Sequence, residues 1–328
     1  MEYDIITIGS VTRDVFLKSG DFKIVQDEAF RTGRAGCFVL GAKFEVPEVV
    51  FASGGGGTNA AVTFARQGFS VGCVGRIGDD EVGHEIIEEL KNEGVGDLFQ
   101  KDKERNTAYS TILVAMDGER TILEYRGAND YLSEKEIDFE KLKSKWVYID
   151  SLAGNIKLLE DILDWAKKNG IKTAFNPGKR MLNFGEKLQP YLDKVDVFIL
   201  NEDEAALVAG IEYKKENEPE IFAKLDKIVK GIIVMSKGPR GVEVSDGKNH
   251  YIAGVPDSTV VERTGAGDSF GSGFVCGYIQ SGGDIEYAVQ LGTANATSVV
   301  QYFGSKKGIL KKGDWGGYPK IKVEIKTI

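Results

Sequence analysis

VERTGAGDSFGSG, residues Val261 to Gly273, sets a glycine-rich turn directly against a segment with helical spacing and puts one aspartate, Asp268, at the junction. Gly265 and Gly267 permit backbone conformations closed to residues with side chains, so successive N–H groups can converge on one anion. A helix start adds unpaired N–H donors and the positive end of the helix dipole, which favour a phosphoryl group as it gathers charge. Asp268 beside such a pocket can take a proton from an attacking hydroxyl as a general base, while the amides of Ala266, Gly267 and Asp268 hold the developing charge. Read alone, the same letters also describe a turn whose aspartate merely caps a helix.

Composition narrows the field. The chain has 328 residues, 42% hydrophobic and 28% charged, ample for one large domain or one domain with a lid. Its 42 basic residues against 50 acidic ones give a net charge of -8. With no long basic run, neither a nucleic-acid partner nor a membrane surface is expected, and a small anionic ligand must be held by local groups. Cys37, Cys73 and Cys276 are widely spaced and fit no CxxC pattern, so they read as small buried hydrophobes. No stretch approaches a membrane helix and the start lacks a signal-peptide pattern; the expectation is a cytoplasmic protein.

Along the chain, Tyr3 to Ile8 is a short apolar run ending at Gly9, which predicts a buried parallel strand with Ser10 to Asp14 as the loop at its carboxyl end. Between Gly20 and Phe51, FKIV, CFVL and KFEVPEVVF predict short strands broken by Gly33, Gly36, Gly41 and Pro47. Ser53 to Gly57 crowds four glycines before Thr58, a predicted N-cap, and a helix over 59–67 closed by Gly68. Thr107 to Met116 and Thr121 to Tyr125 alternate around Asp117-Gly118 as a hairpin. Beyond it, WVYID, KTAFNPG, VFILN and GIIVMSKG alternate with helical patterns, which predicts repeated β-α units with right-handed crossovers. KIKVEIKTI at the end reads as an edge strand.

TGAGDSF, preceded by Glu262, resembles the C-terminal signature of the ribokinase-like (PfkB) carbohydrate and nucleoside kinases. GGGGTNAAVTFARQG, from Gly54 to Gly68, resembles their N-terminal signature, in the family's order and at about its distance. The resemblance covers essentially the whole chain. It implies a single kinase domain over 1–328 with an α/β fold, a ribokinase-like three-layer αβα sandwich carrying a small β-sheet lid. The lid strands fall roughly within 20–52 and 107–126, and the nucleotide-binding half roughly within 195–328.

By the same resemblance Asp14 grips two acceptor hydroxyls, and the amides of Gly55 and Gly56 with the Asn59 side chain contact others. Asn201-Glu202-Asp203-Glu204 matches the NxxE motif, in which Asn201 and Glu204 organise phosphate and magnesium, commonly through water. Ser236-Lys237-Gly238-Pro239-Arg240-Gly241 resembles the TxGxxG nucleotide loop with serine for threonine, so Ser236, Gly238 and Gly241 would touch the nucleotide. Asn295, in the helix after Gly283, is the candidate adenine contact. ATP is the implied co-substrate and Mg2+ the implied metal. Many relatives hold a monovalent cation, commonly potassium, near Glu262 and the 304–308 loop. Here Glu262-Arg263 stands where Asp-Thr is usual, which leaves K+ dependence open. The lid of relatives often packs against a second subunit; an exposed sheet face carrying Phe38, Leu40 and Phe44 would favour such a homodimer.

The leading expectation is transfer of the ATP γ-phosphoryl group to a primary hydroxyl of a sugar. A nucleoside kinase is the near alternative, with Phe22, Phe30 and Phe38 available to cover a base. Against a strict ribose assignment, YIDSLAG from Tyr148 lacks the glutamate that bacterial ribokinases present near this point. A phosphorylated acceptor would need converging basic residues such as Arg31, Arg34 and Arg126. A dinucleotide oxidoreductase would need GxGxxG after the first strand, and a Walker NTPase GxxxxGK[ST]; neither pattern is met. A non-catalytic nucleotide sensor would have no need of Asp268, Asp14 and Asn59 together.

Overall fold

In a computed structural model, which describes residues 2–20, 23–30, 33–115 and 120–327, the chain builds a ten-stranded sheet with a smaller sheet over one end. Seven strands of the large sheet run parallel. Tyr3–Ile8 lies between Val71–Val74, beyond which comes Val95–Asp97, and Ser144–Ile149. Lys172–Phe175, Val197–Asn201 and Ile232–Ser236 continue the parallel run. Val242–Ser245, Asn249–Ala253 and Val323–Thr327 then close it antiparallel, the last as the edge strand that the alternation of KIKVEIKTI predicts.

Side chains alternate between two buried faces, as a covered parallel sheet requires. Ile5, Tyr148, Ile199 and Val234 point into one core, packed under the helices Gly56–Arg66, Ala266–Gln280 and Ile285–Val299. Ile6, Ile149, Phe198 and Met235 point into the other, under Ile156–Asn169, Glu202–Ala209 and Glu218–Ile228. Three layers result. The two helices behind the glycine-rich turn approach closely because their facing positions are small: a Cβ on Gly277 would come within 2.8 Å of the Ala288 backbone.

The small sheet has the order Arg120–Tyr125, Ala108–Val114, Thr12–Lys18, Glu48–Gly54. This corrects two expectations. Asp14 sits within a lid strand, paired with Ala52 and Ser110, and only Gly9, Ser10 and Val11 separate that strand from the core strand before it. The strands of 20–47 do not join the lid; Lys23–Gln26 and Arg34–Cys37 pair only with each other as an exposed hairpin. The Asp117-Gly118 turn, Phe22 and Arg31 lie outside the described residues. Cys37 is exposed rather than buried, because this hairpin has no core beneath it, while Cys73 and Cys276 are buried as expected.

Candidate active site

Tyr3–Ile8 is the strand from which the chain departs first to one side of the sheet and later to the other. In open α/β sheets the crevice at the carboxyl ends of such strands is where ligands bind. Gly9 and Asp150 follow the two central strands at that crevice, and the helix Gly56–Arg66 starts over it. That helix begins at Gly56, two residues before the predicted Thr58 cap. The Thr58 hydroxyl donates backward to the Gly54 carbonyl at 2.7 Å, so it braces the turn instead of capping the helix.

The glycines earn their place by contact. The Asp14 carboxylate rests on Gly54, where a Cβ would lie 2.6 Å from its Cγ. Gly55 has φ 93° and packs against the Ser10 backbone, and Gly56 packs against the Asp150 carboxylate. The Gly56 N–H donates to Ser10 Oγ at 3.0 Å, and Ser10 Oγ donates to Asp150 Oδ2 at 2.9 Å. Gly56's amide is thus committed to the scaffold, whereas Gly55 lines the cavity.

Asp268 is the third residue of the helix Ala266–Gln280, which starts from Gly265 in the left-handed conformation at φ 78°. A Cβ on Gly265 would collide with Ser305. Asn59 joins the two signatures: its Nδ2 donates to Asp268 Oδ2 at 2.8 Å, and its Oδ1 accepts from Ser305 Oγ at 2.8 Å. Asn59 therefore orients the aspartate as well as lining the cavity. The Ala266 N–H returns to the Arg263 carbonyl at 3.3 Å, leaving Gly267 and Asp268 as the first-turn amides without an acceptor among the described residues.

Two cavities meet at this helix end. One, of about 520 Å3, is lined by Asp14, Asn59, Ser110, Thr264 and Asp268. The other, of about 540 Å3, is lined by Ser236, Gly238, Gly241, Arg263, Ala266 and Gly267. Asp268 faces the first and Gly267 the second. Asn295 is a correction: it sits inside the protein, its Nδ2 donating to the Ser269 carbonyl and its Oδ1 accepting from the Leu310 N–H, both within 2.9 Å. Its helix neighbours Thr293, Ala296 and Thr297 line the second cavity instead.

Asn201 and Glu204 form a reciprocal capping box: Glu204 N–H donates to Asn201 Oδ1 and Asn201 N–H to Glu204 Oε2, each at 2.9 Å. Asn201 is the sheet neighbour of Ser236, so the box stands at the rim of the second cavity without lining it. Burial raises the Glu204 carboxyl, with repulsion from Asp203 and Asp268 adding to it. Among the described residues no three His, Cys, Asp or Glu side chains gather as metal ligands. That donor set fits magnesium carried in on phosphates, which needs only one or two carboxylates and water.

Glu262 is turned inward, its side chain 1% exposed. Oε1 accepts from the Thr264 N–H at 2.7 Å and from the Thr264 hydroxyl, and Arg120 Nε of the lid stands 3.6 Å away. The nearest countercharge to this carboxylate is thus a guanidinium. Oε2 is buried with no hydrogen-bond partner among the described residues.

Burial raises Asp14, against the opposing pull of Lys306 and the hydroxyls of Ser110 and Thr12. Burial likewise raises Asp268, against the Asn59 hydrogen bond and Lys306. Sequence reading gave no individual role to Ser10, Asn129, Asp150, Ser305 or Lys306. Asn129 clamps Val11 from both sides, accepting its N–H at 3.0 Å and donating to its carbonyl at 2.8 Å. An acid directly after WVYI was a legible sign of Asp150, since it ends a central strand. Ser305 and Lys306 lie in the 304–308 loop expected near a cation, but their links to the acids had no local sign, because their partners lie more than 240 residues away.

Residues 27–312 match the family described as pfkB family carbohydrate kinase. This chain belongs to the PfkB family. PfkB carbohydrate kinases are phosphotransferases with an alcohol acceptor, and ribokinase-type members use ATP. The ribokinase of Haemophilus influenzae is 29% identical over 267 residues, 79% of this chain and 84% of that one. Two solved structures share the fold of this PfkB kinase at 22% identity. A probable sugar kinase from Rhizobium etli has a TM-score of 0.78 over 93% of this chain and 95% of its own. An adenosine kinase from Sinorhizobium meliloti has 0.76 over 93% and 96%. Among the described residues no helix is long and apolar enough to cross a membrane.

Proposed function

We propose that this PfkB kinase transfers the γ-phosphoryl group of ATP to a primary hydroxyl of a small sugar. The observation that carries the reading is the helix end between two cavities, with Asp268 toward one and the Gly267 amide toward the other. The sugar occupies the cavity of Asp14, Asn59 and Asp268, and ATP the cavity of Ser236, Gly238 and Gly241. Asp268 accepts the hydroxyl proton as the acceptor oxygen bonds to phosphorus and the bond to the β-phosphate oxygen breaks, releasing ADP. The amides of Gly267 and Asp268, at the positive end of the helix dipole, stabilise the charge on the transferring group. Arg263, at the wall of the ATP cavity, adds a positive charge there. Magnesium neutralises phosphate charge when bound with ATP; Glu204 is the carboxylate suited to hold it through water.

A free sugar is favoured over a nucleoside by the polar groups of Thr12, Asp14, Asn59 and Ser110 that stand together at the first cavity. Phe30 and Phe38 are exposed and do not line it. Asp14 gives selectivity for adjacent hydroxyls, since a buried acceptor left unpaired penalises an analogue that lacks them. The lid's outer face is proposed to pair with a second copy of the chain.

ADP release with Mg-ATP, with and without potassium, against ribose, fructose, 2-keto-3-deoxygluconate, fructose 6-phosphate, adenosine, cytidine and inosine tests the acceptor class. Turnover is expected on a free sugar; turnover on a nucleoside alone would overturn the sugar reading. Asp268→Asn should lower kcat by about a hundredfold to ten-thousandfold. Near wild-type turnover in that variant would remove Asp268 as the base.

A further inference from the structure

Two adjacent residues of the loop after the helix Ile285–Val299 reach back to both acids of the site. Ser305 holds Asn59, which holds Asp268. Lys306 does something comparable for Asp14. Its Nζ donates to the Ser53 carbonyl at 2.7 Å and to Thr58 Oγ1 at 2.9 Å. Thr58 Oγ1 in turn donates to the Gly54 carbonyl, and Gly54 is the residue on which the Asp14 carboxylate rests.

We propose that Lys306 is a positioning residue for phosphoryl transfer: its ammonium ties the end of the lid strand Glu48–Gly54 to the helix Gly56–Arg66 and keeps a fixed positive charge behind Asp14 and Asp268. The proposal rests on the reading of Asp268 as the base. An ammonium is costly to bury unless its protons are accepted, and here a carbonyl and a hydroxyl accept two of the three. Neither carboxylate is in direct ion-pair contact with it, so both stay open to the cavity while feeling its charge. Within a low-dielectric pocket such a charge acts over several ångströms and favours the ionised carboxylates that binding and base catalysis require.

The charged and titratable groups around Lys306 come from every neighbouring element. Asp14 belongs to the lid strand Thr12–Lys18, Glu89 to the helix Glu81–Asn92, Cys73 to the strand Val71–Val74 and Asp268 to the helix Ala266–Gln280. Glu93, just beyond Asn92, also feels Lys306, and Arg66 Nη1 donates to the Lys306 carbonyl at 2.8 Å. Cys73 is a neutral thiol, pushed up to about 12 by burial. Burial brings Lys306 itself down to about 8, against the attraction of Asp14, Glu89 and Asp268.

The test is kcat and KM for wild type, Lys306→Met and Lys306→Arg on the acceptor found above, with the acid limb of kcat/KM and with thermal melts to follow folding. Lys306→Met should raise the acceptor KM and move the acid limb up by about one pH unit, because both carboxylates ionise less readily without the charge. Lys306→Arg should keep the acid limb at its wild-type position. An acid limb unmoved in Lys306→Met, with activity falling only in step with the melting temperature, would overturn the proposal. Should Lys306→Met fail to fold, Thr58→Val removes one acceptor of the ammonium while keeping the charge. That variant should raise the acceptor KM with the acid limb in place, and an unchanged KM would equally overturn the proposal. Asp268→Asn separates the two readings: turnover lost there with an acid limb insensitive to Lys306 would sink the role of Lys306 and leave the base assignment standing.

Discussion

Gly54, in the N-terminal glycine run, is the residue on which the Asp14 carboxylate rests. A methyl group there would strike the Asp14 carboxylate and approach Thr12 Oγ1, at 2.9 Å, which itself donates to Asp14 Oδ1 at 3.2 Å. The side chain must swing away, and displacements of about 1 Å can cost a positioned group about a hundredfold. Gly54→Ala should therefore raise the acceptor KM by at least about tenfold while ATP binding, followed by calorimetry, is unchanged. An unaltered acceptor KM would mean that Asp14 does not bind the acceptor. At this scale the sequence was informative where chemistry is local. GAGD and GGGG announce close backbone approach because no other residue type permits it, and both runs line the cavities. Asn295 misled for the complementary reason: an amide on a helix facing the second cavity looks like a ligand contact until its two hydrogen bonds prove to be internal.

Among the elements, the lid is the least legible from sequence. TRDVFLK, residues 12 to 18, has no clean alternation because its two faces meet different partners. Asp14 and Phe16 face the cavity side, while Arg13 crosses to Glu85 and Glu89 of the helix Glu81–Asn92 at 2.9 and 2.8 Å. Its parallel partner Ala108–Val114 is some ninety residues away, and nothing local encodes such pairing. The lid's outer face does show in the exposure pattern. Val49, Phe51, Leu123 and Tyr125 lie on one side of the sheet, with Phe51 66% and Leu123 57% exposed. The exposed apolar face is of the kind that marks an interaction surface. Light scattering should find a dimer at micromolar concentration, and Phe51→Glu should convert it to a monomer. A monomeric wild type would remove the lid as an interface.

For the molecule as a whole, the site is a place where charge is gathered against the preference of the fold. Asp150 is the clearest case, since it is buried under Gly9 and Gly56 and lines neither of the two cavities. Its carboxyl is pushed above the usual carboxylate range, by burial first and then by repulsion from Asp268, against the N–H of Ser151 and the Ser10 hydrogen bond. An acid raised in the folded state gives up its proton more readily in the unfolded chain. Its stabilising contribution is present below the unfolded value of about 3.9 and is lost as pH rises toward the folded one. Asp150→Asn escapes that loss. Compared with wild type, it should gain melting temperature between pH 5 and pH 7.5, by roughly 2–4 °C for each kcal/mol relieved. The gain should shrink when Asp268→Asn is already present, because the repulsion it removes depends on both charges. Melting curves of the four proteins at the two pH values measure this. A difference between wild type and Asp150→Asn that is the same at both pH values would mean that Asp150 is no less comfortable charged in the fold than out of it.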